Sequence, residues 1–275
     1  MSLKLYLHKE GFGNEVAVEY RRFPAGETFL RLPDIDGVYT IGTATIEMSF
    51  KGNDDLFNLA LLADALRRQY PGIELELVMP YLPYARQDRV CAAGESLSVK
   101  VVADFINSLG FARVFCDDIH STVGEALLNN LHHNDLIGCF ARFDLLFEED
   151  TILVSPDAGA NKKVLGLARH YGYPNVVRAD KTRDVLSGKI TGTVVYSEPV
   201  GDKNFLIVDD ICDGGRTFIE LAKELRKLTT GKVMLYVTHG IFSAGLDVFD
   251  GLIDHIYVNN AMNDAAFSSR IVTVF

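Results

Sequence analysis

Two adjacent acids and a glycine turn form the segment of this sequence best equipped for chemistry. Its candidate residues are Asp209, Asp210, Asp213, Gly214, Gly215 and Thr217. Glycines let the backbone turn sharply, and the start of the following helix adds partial positive charge, so the turn could bind a phosphate. The paired acids could hold sugar hydroxyls or a hydrated magnesium ion. The alternative interpretation is an ordinary strand-to-helix turn that Thr217 caps.

Arginine and histidine side chains follow two other apolar runs. Arg86 and Gln87 lie in the segment YLPYARQD, after the run that ends at Met79. Arg86 offers a planar fork that can bind a phosphate through two hydrogen bonds. His120, two residues after Asp118, could ligate a metal ion or contact a phosphate. Considered alone, an arginine-rich turn is more often a solvated surface, and a lone histidine is more often a core or surface residue.

A third candidate segment, SPDAG, follows the apolar run 151–154. It contains Asp157, and Gly159 permits close approach of a ligand to the backbone. The helical pattern that follows carries Lys162 and Lys163. These two lysines are interpreted as solvated helix charges and are left out of the catalytic set.

Short apolar runs that alternate with helical patterns must position these groups. The predicted buried strands are 38–46, 75–79, 114–116, 151–154, 205–208 and 233–237. Apolar residues at helical spacing, such as those from Leu56 to Leu66, predict amphipathic helices between the strands. This alternation predicts an α/β fold with mostly parallel sheets covered by helices on both faces, whose ligands bind outside the carboxyl ends of the strands. A second series of strands from Thr151 onward predicts two α/β halves, 1–141 and 142–275.

Composition excludes several classes of protein. The chain has 275 residues and a formal net charge of −10, which argues against a nucleic-acid-binding protein. No apolar run reaches the roughly 20 residues that a membrane span needs. The N-terminus is too polar for a secretory signal, so we expect a cytoplasmic protein. The four cysteines are far apart and contain no CxxC pair, which favours reduced thiols over disulfides or a zinc site.

In these segments the sequence resembles the ribose-phosphate diphosphokinase family. The stretch FLIVDDICDGGRT at 205–217 resembles the phosphoribosyl-pyrophosphate-binding loop that this family shares with type I phosphoribosyltransferases. YARQD resembles a more specific motif that the phosphoribosyltransferases lack. Smaller matches, in family order along the chain, are the turn Phe23–Glu27, Asn53-Asp54, Asp118-Ile119-His120, SPDAG, Lys181-Thr182-Arg183 and the stretch THGIF at 238–242.

The resemblance implies a fold and a reaction. The fold would be two tandem type I phosphoribosyltransferase-like domains. The reaction would move the diphosphoryl group of ATP to the C1 hydroxyl of ribose 5-phosphate, giving phosphoribosyl pyrophosphate and AMP. Ribose 5-phosphate would bind to the six candidate residues of the 209–217 segment, in the C-terminal domain.

The resemblance also implies roles for the remaining candidates. The residues implied to bind ATP are Phe23, Glu27, Arg86, Gln87 and His120. Phe23 and Glu27 would serve the site of a neighbouring chain, so a homo-oligomer is expected. Mg²⁺ is the implied cofactor, held near His120 and Asp157. Lys181 and Arg183 would be catalytic residues on a flexible loop, and the polar composition of 180–189 is typical of a mobile surface segment.

The sequence departs from the family pattern at several points. The segment 89–97 has few basic residues where the family usually carries a charged run. In the phosphate loop, Gly214 replaces a usual Thr and Arg216 a usual Gly. Two rival functions therefore stay open: a phosphoribosyltransferase, which would share only the 209–217 loop, and a non-catalytic paralogue that regulates an active enzyme.

Overall fold

The chain forms two compact units, Met1–Asn134 and Asp135–Phe275, each built on a mostly parallel sheet. The computed structural model describes residues 2–9, 12–34, 41–143, 150–183, 190–269 and 271–274. The predicted class, two α/β domains with helices packed on mostly parallel sheets, is confirmed. Within those residues, no helix has both the length and the apolar character of a membrane span.

The described residues of the first unit form eight strands. They are β1 Leu3–Lys9, β2 Phe12–Val16, β3 Glu19–Arg22, β4 Thr28–Arg31, β5 Thr43–Met48, β6 Glu74–Val78, β7 Arg113–Asp117 and β8 Leu131–Asn134. Six of them form a sheet in the order β2-β1-β5-β6-β7-β8, and β3 and β4 form a separate hairpin. Strands β5 to β8 are parallel, whereas β1 is antiparallel to both of its neighbours.

Three helices accompany this sheet: α1 Asn53–Gln69, α2 Ser98–Ser108 and α3 Thr122–Leu127. On β5, Ala44, Ile46 and Met48 are buried and alternate with half-buried residues, so one face of the sheet enters the core. Leu62 of α1 and Val99 of α2 belong to the same apolar cluster. The helices therefore pack on that face and leave the carboxyl ends of the strands to the loops.

Seven strands and three α-helices are present in the part of the second unit that the structure describes. The strands are β9 Thr151–Ser155, β10 Val176–Arg183, β11 Ile190–Val195, β12 Asn204–Cys212, β13 Val233–Gly240, β14 His255–Ala261 and β15 Val272–Val274. Their order is β11-β10-β9-β12-β13-β14-β15, and only the β10–β11 pair of this described sheet is antiparallel. The helices are α4 Leu136–Phe140, α5 Asn161–Tyr171 and α6 Arg216–Leu225.

Strand β12 lies at the centre of this sheet and is buried on both faces. Phe205 and Ile207 pack with α6 residues such as Leu221 in one apolar cluster. Leu206 and Val208 belong to a second cluster that includes residues of α4 and α5. Because successive side chains of a strand point to opposite faces, helices cover both sides of the sheet at β12.

The first helix of the second unit lies before the predicted domain boundary at 141. Leu136 and Phe140 of α4 pack with Val164 and Leu206, in the core of the second unit. The structural division therefore falls between Asn134 and Asp135.

The observed strands differ from the predicted ones mainly at their ends. The run 38–46 corresponds to β5, which begins at Thr43, and residues 35–40 lie outside the described part. Strand β12 was predicted to end at Val208, but it continues to Cys212. It does so because its pairing with β13 extends to Cys212 and Gly240. The paired acids thus lie inside the last part of the strand.

Candidate active site

The loop between β12 and α6 lies at the carboxyl end of the second sheet. Strand β12 pairs with β9 only from Asn204 to Ile207, but it pairs with β13 as far as Cys212. Asp209 and Asp210 therefore extend beyond the end of β9. The structure places the six candidates of the 209–217 segment together in one strand end, one turn and the start of one helix. This is the position where ligands bind in sheets of this type.

The turn before α6 requires glycine at one position. Gly215 has φ +76°, and a Cβ there would lie 2.5 Å from Cζ of Phe249. At Gly214 a Cβ would meet only Oγ of Ser243, at 3.7 Å. Thr217 lies in the first turn of α6, where backbone N–H groups have no acceptor within the helix. These N–H groups and the positive end of the helix can bind a phosphate.

The turn after β13 holds the β12–α6 loop in place. Oγ of Ser243 donates a hydrogen bond of 2.6 Å to Oδ1 of Asp213. The backbone N–H groups of Ile241 and Phe242 both donate to the carbonyl of Cys212, at 2.8 and 3.2 Å. The stretch THGIF was predicted only as a family signature. Its backbone hydrogen bonds also hold the candidate phosphate loop in position.

The paired acids lie in a negatively charged environment. Asp210 is buried, with an exposure of 7%, and Asp209 is half-buried. Burial, together with the negative charges of Asp210 and Asp157, raises the pKa of Asp209 well above its usual range. A carboxyl group in this state is stabilised by an added cation or hydrogen-bond donor. The site is thus suited to hydroxyl groups of a sugar or to a cation.

The side chain of Asp157 stabilises the loop between β9 and α5. Its Oδ1 accepts hydrogen bonds from the backbone N–H groups of Gly159 and Ala160, at 3.0 and 3.2 Å. A Cβ at Gly159 would lie 3.2 Å from the same oxygen, so a larger residue would crowd it. These two bonds fix one oxygen of Asp157, and the negative charge of Asp157 contributes to the raised pKa of Asp209.

Lys163 lies beside the acid pair, although the sequence pattern predicted only a solvated helix charge. Its Nζ lies 4.0 Å from Oδ2 of Asp210, and its side chain is 31% exposed. Lys162, its neighbour on α5, is exposed. The only signal in the sequence is helical position: Lys163 lies one residue before Val164, which is buried against the sheet. It can neutralise part of the charge of the acid pair.

The chemistry of this cluster fits Mg²⁺. Carboxylate oxygens are the protein ligands that Mg²⁺ prefers, and it commonly takes one or two of them together with water and substrate phosphates. Asp157, Asp209 and Asp210 supply such oxygens. The positive charge of Lys163 balances only part of their negative charge. Among the residues that the structure describes, no group of three or more His, Cys, Asp or Glu side chains forms a ready metal cage.

The YARQD segment forms a turn after β6 in the first unit. Tyr84 has φ +62°, and its hydroxyl donates a hydrogen bond of 2.7 Å to Oδ1 of Asn53. Arg86 and Gln87 are exposed. Oγ of Ser98 donates to Oε1 of Gln87 at 2.6 Å, which ties the turn to the start of α2. Hydrogen bonds hold the turn in place, and Arg86 is exposed on it. Its guanidinium group is therefore accessible to a phosphate.

A cavity of about 500 Å³ lies beside this turn, between α1 and α2. Its lining includes Tyr84, Ser98, Phe57 and Phe105 but no lysine or arginine. A site without cationic groups does not favour a phosphate. The cavity is therefore distinct in chemistry from the surface that Arg86 presents.

His120 lies in the turn between β7 and α3, and it is exposed. It belongs to the first unit, whereas Asp157 belongs to the second. Their predicted participation in one magnesium site stays a prediction. Within the first unit, His120 and Arg86 follow the neighbouring strands β7 and β6 at the same edge of the sheet.

Phe23 and Glu27 lie at the tip of the β3–β4 hairpin. Phe23 is 52% exposed and Glu27 is exposed as well. The tip is closed by a hydrogen bond of 2.8 Å from the N–H of Phe23 to the carbonyl of Glu27. Arg22 ties the hairpin to the start of α1 through an ion pair with Asp54. An exposed aromatic ring on a braced hairpin suits contact with a base or with another chain.

The backbone of Lys181 and Arg183 lies in β10, and their side chains lie outside the described part of the structure. Lys181 pairs with Thr193 of the antiparallel strand β11. The segment was expected to be a loop from residue 180 onward. Pairing with β11 extends the strand to Arg183 instead, and residues 184–189 lie outside the described residues.

Sequence comparisons place these segments among known proteins. A sequence model of the N-terminal domain of ribose phosphate pyrophosphokinase matches residues 14–110. The ribose-phosphate pyrophosphokinase of Mycoplasma pneumoniae is 30% identical over 265 residues, which cover 91% of this chain and 77% of the relative. That of Pyrococcus furiosus is 32% identical over 271 residues, which cover 93% of this chain and 91% of the relative.

A structural comparison agrees on the fold. The crystal structure of phosphoribosylpyrophosphate synthetase from Mycobacterium smegmatis matches with a TM-score of 0.76 over 94% of this chain and 86% of that one. Sequence identity in this match is 24%, so it supports the fold alone. The family is shown by the sequence relatives, because the Pyrococcus furiosus protein is 32% identical and aligns over 91% of its own length. The chain belongs to the ribose-phosphate pyrophosphokinase family.

Proposed function

We propose that the protein is a ribose-phosphate diphosphokinase, which transfers the diphosphoryl group of ATP to the C1 hydroxyl of ribose 5-phosphate. The observation that carries the proposal is the β12–α6 loop. It combines an acid pair of which Asp210 is buried, a turn that requires glycine at Gly215, and a helix start at one strand end. Relatives that align with most of this chain are named ribose-phosphate pyrophosphokinases. The product would supply nucleotide biosynthesis.

Ribose 5-phosphate is proposed to bind the second unit. Its 5-phosphate would accept hydrogen bonds from backbone N–H groups of the turn 213–217 and from the hydroxyl of Thr217. Asp209 and Asp210 would accept hydrogen bonds from the ribose hydroxyls. Because the pKa of Asp209 is raised by burial and by neighbouring acids, such donors relieve an unfavourable charge. This arrangement would hold the sugar by its phosphate and its hydroxyls and leave C1 available.

ATP is proposed to bind the first unit. Arg86 and Gln87 would contact its phosphates, and His120 would lie near the same phosphates. Phe23 and Glu27 of a neighbouring chain would contact the adenine, so the active protein would be a homo-oligomer. Lys181 and Arg183 would neutralise charge on the transferring group.

The chemical step requires positioning and charge neutralisation more than covalent participation of the protein. The C1 hydroxyl oxygen forms a bond to the β-phosphorus, the bond from that phosphorus to the oxygen bridging to the α-phosphate breaks, and the hydroxyl proton is released. AMP leaves with the bridging oxygen. When bound near His120 and Asp157, Mg²⁺ would screen the charge of the phosphate oxygens.

The test is product formation by the purified protein with ribose 5-phosphate, magnesium and, separately, ATP, GTP and CTP. We expect AMP and phosphoribosyl pyrophosphate to appear together with ATP, and AMP release to require ribose 5-phosphate. Faster use of GTP or CTP would keep the reaction but change the donor, a result that the altered 89–97 segment would explain. No turnover with any donor would contradict the enzyme assignment and favour a non-catalytic regulatory paralogue.

Two controls sharpen this test. A phosphoribosyltransferase would consume phosphoribosyl pyrophosphate in the presence of a base and would release no AMP from ATP. Lys181→Ala should lower the turnover number far more than it weakens ATP binding, because its proposed contact forms only as the diphosphoryl group transfers. An unchanged turnover number in this variant would remove Lys181 from the mechanism.

A further inference from the structure

The turn that carries His120 has an uncommon backbone shape. Asp118 has φ +34°, and its exposure is 1%. Its backbone N–H donates a hydrogen bond of 2.8 Å to the carbonyl of Asn134. Nδ2 of Asn134 in turn donates to Oδ1 of Asp117 at 3.0 Å. A non-glycine residue keeps a positive φ only where the surroundings hold it, so β8 helps to impose this conformation.

A second histidine holds the next residue of the turn. The backbone N–H of Ile119 donates a hydrogen bond of 3.0 Å to Nε2 of His133 on β8. An amide can only donate, so Nε2 must carry a lone pair and the ring proton must reside on Nδ1. Nδ1 lies 3.7 Å from Oε1 of Glu125 on α3. The geometry thus selects one neutral tautomer of His133, with its N–H facing a carboxylate.

The side chain of Ile119 is fixed as firmly as its backbone. It is 1% exposed and belongs to the core of the first unit. A Cβ at Gly124 would lie 2.8 Å from Cγ2 of Ile119, so α3 approaches this side chain closely. His120 is the next residue, and it is exposed. The direction in which its side chain leaves the turn is therefore set by the anchoring of Ile119.

We propose that His133 is a positioning residue for His120: by accepting the Ile119 amide bond, it orients His120 toward the phosphates and their metal ion. This inference rests on the proposed function, in which His120 contacts them. Partners that orient a ligating group in this way commonly contribute about 10–100-fold to metal affinity or activity. The structure assigns this task to a residue outside every sequence motif identified above.

The experiment uses the full-length protein and three substitutions. In His133→Leu the imidazole acceptor of the Ile119 amide is removed. In His133→Gln the side-chain carbonyl reaches as far as Nε2 does, and in His133→Asn it reaches only as far as Nδ1. His132→Gln is the matched control, because His132 precedes His133 on β8 and is exposed. We would measure hydrogen exchange of the Ile119 amide and the NMR signals of the His120 ring without substrate, then kcat and the KM values for ATP and for ribose 5-phosphate.

We expect His133→Leu and His133→Asn to speed exchange of the Ile119 amide by about tenfold or more, since the amide loses its acceptor. Their His120 ring signals should shift, and kcat should fall about 10–100-fold with the KM for ribose 5-phosphate unchanged. His133→Gln and His132→Gln should resemble the wild type in every measurement. If His133→Leu does not fold, the comparison of His133→Asn with His133→Gln is sufficient to test the proposal.

Either of two results would overturn the proposal. One is a loss in His133→Gln as large as that in His133→Asn. The other is faster amide exchange with His120 signals and kcat both unchanged, which would make His133 a purely structural residue. A wild-type protein without turnover would contradict the proposed function, whereas the exchange and ring-signal measurements would still report whether His133 positions His120.

Discussion

Ser243 donates a hydrogen bond of 2.6 Å from its hydroxyl to Oδ1 of Asp213, and the bond joins the turn after β13 to the turn after β12. The backbone N–H of Ser243 also donates to the carbonyl of Asp213, at 3.2 Å. The candidate phosphate loop is thus held from a neighbouring strand as well as by its own glycines. We therefore expect the loop to adopt its binding conformation before ribose 5-phosphate binds.

Ser243→Ala should therefore raise the KM for ribose 5-phosphate with little change in the KM for ATP. A hydrogen bond to a charged group contributes about 1.5–3 kcal/mol, and the lower value, for this exposed bond, corresponds to roughly a tenfold effect. Steady-state kinetics with each substrate varied would measure it. Ser197→Ala is the control, because its hydroxyl bonds only to the adjacent Glu198 carbonyl among the contacts described. Equal shifts in both variants would refute the role of Ser243.

The two neighbouring glycines of the turn should respond differently to substitution. Gly215→Ala combines a left-handed backbone with a Cβ 2.5 Å from the Phe249 ring, whereas Gly214→Ala meets only Ser243 Oγ at 3.7 Å. The left-handed backbone costs roughly 1–2 kcal/mol and overpacking adds roughly 1–3 kcal/mol. We expect Gly215→Ala to lose about 2–5 kcal/mol in urea unfolding, and Gly214→Ala to lose less than about 1 kcal/mol. Similar losses in the two variants would contradict this account of the turn.

Much of the fold was predictable because strands and helices leave periodic patterns. The run 233–237 identified β13, and the run 151–154 identified β9. The hairpin β3–β4 and the end of β12 were not predictable in the same way. Glu19–Arg22 has little apolar pattern, since most of its side chains are exposed. The extension of β12 to Cys212 depends on a partner strand that is distant in sequence.

Lys163→Met should make the second unit more dependent on an added divalent cation. Without Lys163, the buried carboxyl of Asp210 loses the cation that lies 4.0 Å away. We expect the unfolding temperature of the free protein to fall, and Mg²⁺ to raise it more in the variant than in the wild type. Thermal unfolding with and without Mg²⁺ measures both effects.

Lys162→Met provides the matched control for this prediction, since Lys162 is exposed on the same helix. It should leave the unfolding temperature and the response to Mg²⁺ as in the wild type. Identical Mg²⁺ responses in Lys163→Met and Lys162→Met would mean that Lys163 does not balance the charge of the acid cluster.

Asp209→Asn should stabilise the free protein at neutral pH. The pKa of Asp209 is raised in the folded state by burial and by Asp210 and Asp157, so its ionisation opposes folding. The penalty is absent below the unfolded pKa of about 3.9 and grows as pH rises through the folded pKa. The variant should thus unfold at a higher temperature than the wild type at pH 7, and the difference should shrink on acidification.

The same Asp209→Asn variant should bind ribose 5-phosphate more weakly, because an amide accepts fewer hydrogen bonds from hydroxyls than a carboxylate does. Asp250→Asn, at an exposed position, serves as the control. A stability difference that grew toward acidic pH would have the wrong sign and would exclude a raised pKa at Asp209.

The site was predictable where its residues are consecutive and was missed where they converge from separate elements. The six residues of 209–217 formed one recognisable segment. Lys163 was interpreted as a solvated charge, because helix spacing alone does not reveal the Asp210 carboxylate on another strand. His133 accepts a hydrogen bond from a backbone N–H fourteen positions away. The order of side chains along the sequence does not predict a contact with the backbone of another element.

The neighbours of strand β12 divide it into two stretches that differ in the number of strands they pair with. From Asn204 to Ile207 it is flanked by β9 and β13, whereas from Asp209 to Cys212 it pairs with β13 alone. Substitutions in the first stretch would disturb two ladders and two cores at once. The departures from the family pattern, Gly214 and Arg216, lie just beyond the second stretch. Both positions lie outside the paired residues of β12, so a substitution there can change the chemistry of the turn without disturbing the pairing of the sheet.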